Sequence, residues 1–321
     1  MPRISSTNDW LGLRRQAALL AVVSAWAQRD LFTLLAERPR PISELPADAR
    51  ALHCTIPLLI NGGILESDGN EIALTPEALL MEQEAGWPTD ALGYLADLTQ
   101  LPTVLDRGGP LCDAEGRSRV THGGVRRHDP RQMRAFLEML YQRSGESCEI
   151  AARWLKELWP ANSHLLDLGG GHGRYARMLV DLGHTVTLYD IPEVIELAKE
   201  RHGDALHYLG GDFLTDSLGG PWDGIFVSNV LHGLGETHNR VLLARLRAAL
   251  QTQGTLVIKD MFLEQSGGTP DGAAAFALNM LFFTEDGQSY ALESVATWCR
   301  DAGFSTFKTI HTATFQLCLA W

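Results

Sequence analysis

Along the 321-residue chain the apolar positions switch between helical and alternating spacing, and the switches mark its elements. From residue 8 to 37 they fall on nearly every face of a predicted helix (Leu13, Ala17, Leu20, Val23, Trp26, Leu31). A helix apolar all round must be buried on all sides, which in a small domain calls for a partner subunit. Pro39 and Pro41 end it, a short helix opens at 42–45, and 48–60 reads as a third, capped by Asp48 and kinked at Pro57. Two short runs, 64–67 and 71–74, flank the turn residues Asp68-Gly69-Asn70 and predict a hairpin. Three helices and a hairpin outline a winged-helix unit. Helical spacing returns at 89–98 and again over 130–158, broken near Gly145, with a Gly-rich charged stretch at 107–127 that reads as a surface loop.

The second half alternates short apolar runs with helical ones. Strands are expected at 165–168, 185–189, 206–209, 223–228 and 254–259, and two more at 304–310 and 312–319. An amphipathic helix fills 239–250, an apolar segment at 273–283 follows a loop at 264–272, and a further helix runs to 302. This alternation predicts an α/β protein, a Rossmann-like doubly wound sheet behind an N-terminal α-helical, winged-helix-like unit.

Composition narrows the function. At 45% hydrophobic and 21% charged residues the chain has ample core. A net charge of -12 argues against an extended nucleic-acid surface, because phosphate binding is driven by Lys and Arg. The third helix offers only Arg50 and His53 among Leu52, Ile56, Leu58, Leu59 and Ile60, too little for a recognition helix. A DNA-binding regulator is therefore the rival class, and packing against itself or a second subunit is the preferred use of the wing. Five scattered cysteines (Cys54, Cys112, Cys148, Cys299, Cys318), none in C-x-x-C, read as free thiols of a reducing compartment without a metal site. No stretch has the length of a membrane span and the start does not read as a signal peptide, so a cytoplasmic location is expected.

The chemistry gathers at 165–179, LLDLGGGHGRYARML. Glycines where a strand gives way to a helix let the backbone turn sharply and approach a ligand. The dinucleotide fingerprint G-x-G-x-x-G, counted from Gly169, would need glycine where Arg174 stands, and the Gly-Lys-Ser/Thr of a P-loop is missing. What stands is Asp167, Gly169, Gly171 and Gly173 at alternate positions. Asp190, closing the next strand, is placed about twenty residues on, where a carboxylate holds a ribose diol; it is equally able to cap the helix that Pro192 opens.

This pattern resembles motif I of the class I S-adenosylmethionine-dependent methyltransferases, and LYDIPEVIEL at 188–197 resembles their motif II. The chain as a whole is similar to the plant and bacterial small-molecule O-methyltransferases of the acetylserotonin and caffeate type. The resemblance implies S-adenosyl-L-methionine as cofactor, held by Asp167, Gly169, Gly171, Asp190, Asp212, Phe213 and Ser228. It implies His232, in V-L-H after the fourth strand, as catalytic base, and a substrate wall that includes Phe136, Met139, Asn279 and Met280, the last two within L-N-M-L. It further implies a homodimer joined through the N-terminal unit and a small, partly aromatic or hydrophobic acceptor, with no nucleic acid, membrane or metal required. Three segments follow: a dimerisation unit at 1–100, a helical lid at 101–160 and the catalytic domain at 161–321.

The base makes chemical sense. A sulfonium already activates the methyl group, so the protein must align the acceptor and remove its proton. A phenol of pKa about 10 is protonated at neutral pH, and an imidazole of pKa about 6.5 can accept that proton. One departure stands out: the family continues H-D-W where this chain has Gly233 and Leu234, so the carboxylate expected to orient the imidazole is missing from its place. Glu236 and His238 are the replacements in reach, although both also suit the start of the next helix. Asn279, polar within an apolar run, needs either a substrate oxygen or a buried carbonyl. Gln288 stands where the family often has arginine. The same fold also supports transfer to N, S or C, or use of the cofactor without methyl transfer, as in a cyclisation.

Overall fold

The computed structural model describes residues 4–84, 86–113, 116, 118, 130–263, 271–312 and 314–321, so most of the loops at 107–127 and 264–272 lie outside the described residues. The chain divides into two compact units, residues 1–103 and 104–321.

In the first unit the helix expected over 8–37 is two helices, α1 (Thr7–Ala27) and α2 (Leu31–Glu37). Asp30 between them takes a left-handed φ of 56°. That break turns Leu31, Phe32 and Leu35 into the core beside Trp26, where a straight helix would carry them past it. After β1 (Arg40–Pro41) and a short 3-10 turn comes α3 (Ala49–Asn61), whose first turn is capped by Asp48 accepting from the Ala51 N–H at 3.0 Å. The hairpin is β2 (Leu65–Ser67) with β3 (Glu71–Leu74), and β1 adds to it in the order β1-β3-β2. Helices α4 (Pro76–Glu84) and α5 (Ala91–Leu98) follow, and α6 (Leu101–Arg107) carries the chain past residue 103 into the second unit. Not every face of α1 is covered within the chain: Trp10 is 56% exposed.

Beyond α6 the second unit continues with α7 (Pro130–Arg143) and α8 (Gly145–Leu155). Then come β4 (His164–Leu168), α9 (Arg174–Asp181), β5 (Thr185–Asp190), α10 (Pro192–His202), β6 (His207–Gly210) and β7 (Trp222–Ser228). The chain finishes with α11 (Glu236–Ala249), β8 (Leu250–Asp260), α12 (Asp271–Phe283), α13 (Leu292–Asp301), β9 (Phe307–His311) and β10 (Gln316–Ala320). The strands form one seven-stranded sheet in the order β6-β5-β4-β7-β8-β10-β9, parallel from β6 to β8 and antiparallel at β10.

Helices α8, α9 and α10 cover one face of this sheet, α11 and α13 the other. Its central strands are therefore apolar without alternation, as strands buried on both faces must be. Leu165, Leu166 and Leu168 are fully buried, each contributing ~1.5–3 kcal/mol of transfer free energy. Strand order reverses at β4, with β5 on one side and β7 on the other. In open α/β sheets the crevice beyond the carboxyl ends at such a reversal receives the ligand. Here it is bounded by the glycine loop after β4 and the turn after β7. Among the described residues no single helix is long and apolar enough to cross a membrane.

Candidate active site

At the glycine loop Gly169, Gly171 and Gly173 take φ of 67°, 54° and 75°. A Cβ on Gly169 would stand 2.6 Å from Val230 Cγ2, so the loop and the turn after β7 touch only because that position is glycine. Asp190 ties the loop to the end of β5: its Oδ2 accepts from the Gly171 N–H at 2.9 Å and its Oδ1 from Ile191 at 2.8 Å. Burial pushes its carboxyl up to about 6. Asp167 is 1% exposed and neither of its oxygens has a hydrogen-bond partner. Burial, and after it the charge of Asp190, pushes this carboxyl up to about 7. The buried Oγ of Ser228 also lacks a partner. Arg174, the cation nearest the loop in sequence, is turned away, donating to the Tyr141 carbonyl at 2.5 Å with its guanidinium 4.6 Å from the Tyr141 ring.

Helix α7 and the turn after β6 carry four of the expected residues. Helix α7 does lie over the loop, since Leu137 Cδ2 comes within 3.7 Å of a Cβ built on Gly171. The side chains it presents there are Leu137 and Met133, which line a cavity of about 580 Å³ with His172, Leu197 and Arg201. Phe136 is 47% exposed and Met139 is half-buried, and neither lines this cavity. Asp212 is exposed and engaged in its own turn, its Oδ1 accepting from the Leu214 N–H at 2.9 Å. Phe213 beside it is half-buried against the core under α11.

His232 sits on the 3-10 turn Leu231–Gly233 immediately after β7. Its Nδ1 lies 2.6 Å from Oδ1 of Asp260, and its backbone N–H donates to Oδ2 of the same residue at 3.4 Å. The carboxylate absent after His232 is thus supplied by the last residue of the neighbouring strand, brought alongside by the register Ser228↔Lys259. Neither replacement in reach in the sequence serves: Glu236 pairs with Arg240 at 2.9 Å, and His238 faces Asp286 at 3.7 Å. Burial works to raise the Asp260 carboxyl, but the adjacent His232 ring and its hydrogen bond, with the Met261 N–H and the Lys259 charge, hold it below its ordinary value.

The turn itself is pinned from behind. Asn239, fully buried, donates through Nδ2 to the carbonyls of Leu231 at 2.9 Å and Leu234 at 3.0 Å. In front of His232 the Phe276 ring stands edge-on, 4.7 Å between centroids. Phe276 belongs to α12, so Asn279 and Met280, three and four residues on, share its face. Oδ1 of Asn279 is buried and has no partner, while Met280 is packed inside.

A doubly wound sheet with an acidic glycine loop at its reversal and a histidine–carboxylate pair on the adjoining strands defines a methyltransferase of the class I type. The O-methyltransferase domain family matches residues 113–305, well over half the chain, and the protein belongs to that family; its methyl donor is S-adenosylmethionine. The chain is 29% identical over 310 residues to the tetracenomycin polyketide synthesis 8-O-methyl transferase TcmO of Streptomyces glaucescens, covering 90% of this chain and 88% of that protein. It is 33% identical to the 3-hydroxy-5-methyl-1-naphthoate 3-O-methyltransferase of Streptomyces sahachiroi over 46% of this chain and 45% of that one. The fold is shared with the crystal structure of human N-acetylserotonin methyltransferase in complex with SAM, at a TM-score of 0.80 and 21% identity, covering 100% and 99% of the two chains.

The residues present fit that cofactor. A loop flanked by two buried carboxylates, one with both oxygens unpartnered, suits a nucleoside that carries cationic groups and would repel a pyrophosphate.

Proposed function

We propose that the protein methylates a hydroxyl oxygen of a small hydroxylated aromatic molecule, a secondary metabolite of the polyketide kind, with His232 as general base. The observation that carries this reading is the 2.6 Å contact between His232 Nδ1 and Asp260 Oδ1. The names of the two Streptomyces relatives, both O-methyltransferases of aromatic or polyketide substrates, support the acceptor class.

When bound, S-adenosylmethionine supplies a methyl group already activated by its sulfonium. Asp167, Gly169, Gly171, Asp190 and Ser228 would hold it, with Asp212 and Phe213 on the adenine side. The chain's own task is then alignment and proton removal. Asp260 accepts Nδ1–H of His232 and so fixes the tautomer that leaves Nε2 as the basic nitrogen. Nε2 takes the acceptor's hydroxyl proton, and the neighbouring carboxylate stabilises the imidazolium that results. Phe276 offers a ring edge against which an aromatic acceptor packs, and the unpartnered Oδ1 of Asn279 offers it a hydrogen-bond acceptor.

The N-terminal unit is assigned to a winged-helix-like dimerisation role, supported by the exposed apolar residues Trp10 and Leu11 on α1. A sedimentation mass of one chain would remove it. For the catalytic reading, the native enzyme is offered a hydroxynaphthoate and its amino and thiol counterparts. Methylation of the hydroxyl compound alone is expected; methylation of the amine or thiol alone would replace oxygen as the acceptor atom.

A further inference from the structure

The backbone that carries His232 leaves the sheet before it reaches the base. The Asn229 N–H donates to the Lys259 carbonyl at 2.8 Å, continuing the β7–β8 ladder by one residue, and Asn229 itself takes a left-handed φ of 59°. Beyond it the turn closes on itself through the Gly233 N–H to the Val230 carbonyl at 3.0 Å and the Leu234 N–H to the Leu231 carbonyl at 3.2 Å. Such 3-10 bonds have poor geometry and hold a short turn weakly. The contact from Nδ1 to Asp260 fixes one point of the imidazole. The direction of Nε2 then depends on where the His232 backbone is held.

That backbone is held by side chains from two other elements. Asn239, near the start of α11 and fully buried, presents its NH₂ group to the carbonyls of both Leu231 and Leu234. The Tyr290 hydroxyl, from the segment between α12 and α13, donates to the Leu234 carbonyl at 2.5 Å. Both lone pairs are therefore filled on each of these carbonyls, Leu231's by the Leu234 N–H and Asn239, Leu234's by Asn239 and Tyr290. The same segment presses on the turn elsewhere: a Cβ on Gly287 would stand 2.3 Å from the His232 carbonyl oxygen, and Asp286 Oδ1 accepts from the Gly235 N–H at 3.1 Å. The Tyr290 ring is itself fixed edge-on against Trp298, 4.8 Å between centroids.

Packing alone does not call for an asparagine here. The other buried positions of α11 are leucines, Leu242, Leu243 and Leu246, and a buried amide costs free energy wherever its polar atoms lack partners. Asn239 bears that cost at Oδ1, which is buried without a partner, while its NH₂ is spent on the turn. Burial raises the Tyr290 phenol above its ordinary value, so it stays protonated and remains a donor over the neutral range.

We infer that Asn239 is a positioning residue for the base, with Tyr290 as its second support: by holding the carbonyls of Leu231 and Leu234 they set where His232 Nε2 points. This assignment rests on the general-base reading of His232 above. Its consequence is specific. A misplaced base costs rate only where the acceptor's proton must be removed, and an acceptor already ionised needs no base. Asn239 therefore acts on proton transfer and not on donor binding.

The test is single-turnover methyl transfer by the full chain, at saturating S-adenosylmethionine, to two probes: a hydroxynaphthoate, and a nitro derivative of it whose hydroxyl is ionised at the assay pH. Rates are taken per site that binds S-adenosylhomocysteine by calorimetry, so loss of folded protein does not register. Asn239→Leu keeps the branched shape and removes both donors. It is expected to slow the hydroxynaphthoate ~10- to 100-fold, the effect of a group misplaced by about an ångström, and the ionised probe by less than about threefold. Tyr290→Phe, which keeps the ring, is expected to show the same selectivity at ~3- to 10-fold, and it carries the test should Asn239→Leu fail to fold. His232→Ala, run in parallel, is expected to be selective in the same sense. Equal slowing of both probes by Asn239→Leu (or by Tyr290→Phe in its place), or native rates on both, while His232→Ala stays selective, overturns the inference alone. A His232→Ala variant slowed equally on both probes, or a native protein that methylates neither, overturns the base reading beneath it.

Discussion

Replacing Asp260 by asparagine removes one charge and almost no volume from a fully buried position, so its effect on chemistry is separable from packing. In the native protein the 2.6 Å contact from Nδ1 to a carboxylate is charge-assisted. An asparagine can accept the same N–H through its carbonyl, or present its NH₂ and drive the proton to Nε2, which then cannot act as base. Losing a hydrogen bond to a charged group costs about 1.5–3 kcal/mol, which converts to a ~10- to 150-fold fall in kcat. The tautomer reversal adds to this. The assay is single-turnover methyl transfer at saturating cofactor, alongside calorimetric binding of S-adenosylhomocysteine, which is expected to stay within about twofold of native because Asp260 lies outside the glycine loop. The double variant His232→Ala, Asp260→Asn is expected to be no slower than His232→Ala alone, as members of one catalytic unit are not additive. A variant retaining native kcat, or losses that multiply in the double variant, would refute the pairing.

Further outcomes follow from the same geometry. His232→Ala is expected to lower turnover ~100-fold or more with cofactor affinity nearly unchanged, and an active variant would reassign the base. Gly169→Ala forces a side chain into a φ of 67° and to 2.6 Å from Val230, so cofactor binding is expected to fall sharply by calorimetry while the protein remains folded. Asp167 and Asp190 carry raised folded pKa values of about 7 and about 6 against 3.8. Between those limits the folded state binds more protons than the unfolded, and stability falls as pH rises. This contribution is fully present below the unfolded pKa and is lost as pH climbs through 6 and 7. The ligand-free melting temperature is therefore expected to be higher at pH 5.5 than at pH 8, and Asp167→Asn is expected to flatten that difference; an unaltered slope in the variant contradicts the buried, unpartnered carboxylate.

The sheet and its glycine loop are legible in the sequence because they rest on local patterns: apolar runs, glycines where the backbone must turn, an acid closing β5. His232 is legible for the same reason, lying a few residues beyond a strand whose end faces the crevice. Its partner is not. Asp260 follows 28 residues later and meets His232 only because β7 and β8 pair in parallel, a matter of strand order that no local spacing encodes. The sequence shows that an acid follows that strand, and not what the acid reaches. On α7 it is Leu137 and not its neighbour Phe136 that lines the cavity, and since each step along a helix turns the side chain by about 100° an apolar pair gives no clue to which member faces inward. The break between α1 and α2 was hidden because Asp30 interrupts the apolar pattern no more than any surface residue would.

The most direct measurement is transfer of a labelled methyl group from S-adenosylmethionine to a hydroxylated aromatic acceptor, with the product read by mass and the label located by NMR. The native enzyme is expected to place one methyl on oxygen, and the Asp260→Asn and His232→Ala variants to bind the donor but form product far more slowly. Label found on nitrogen or carbon, or a donor that binds and is never consumed with any hydroxyl acceptor, would contradict an oxygen-directed methyltransferase driven by the His232–Asp260 pair.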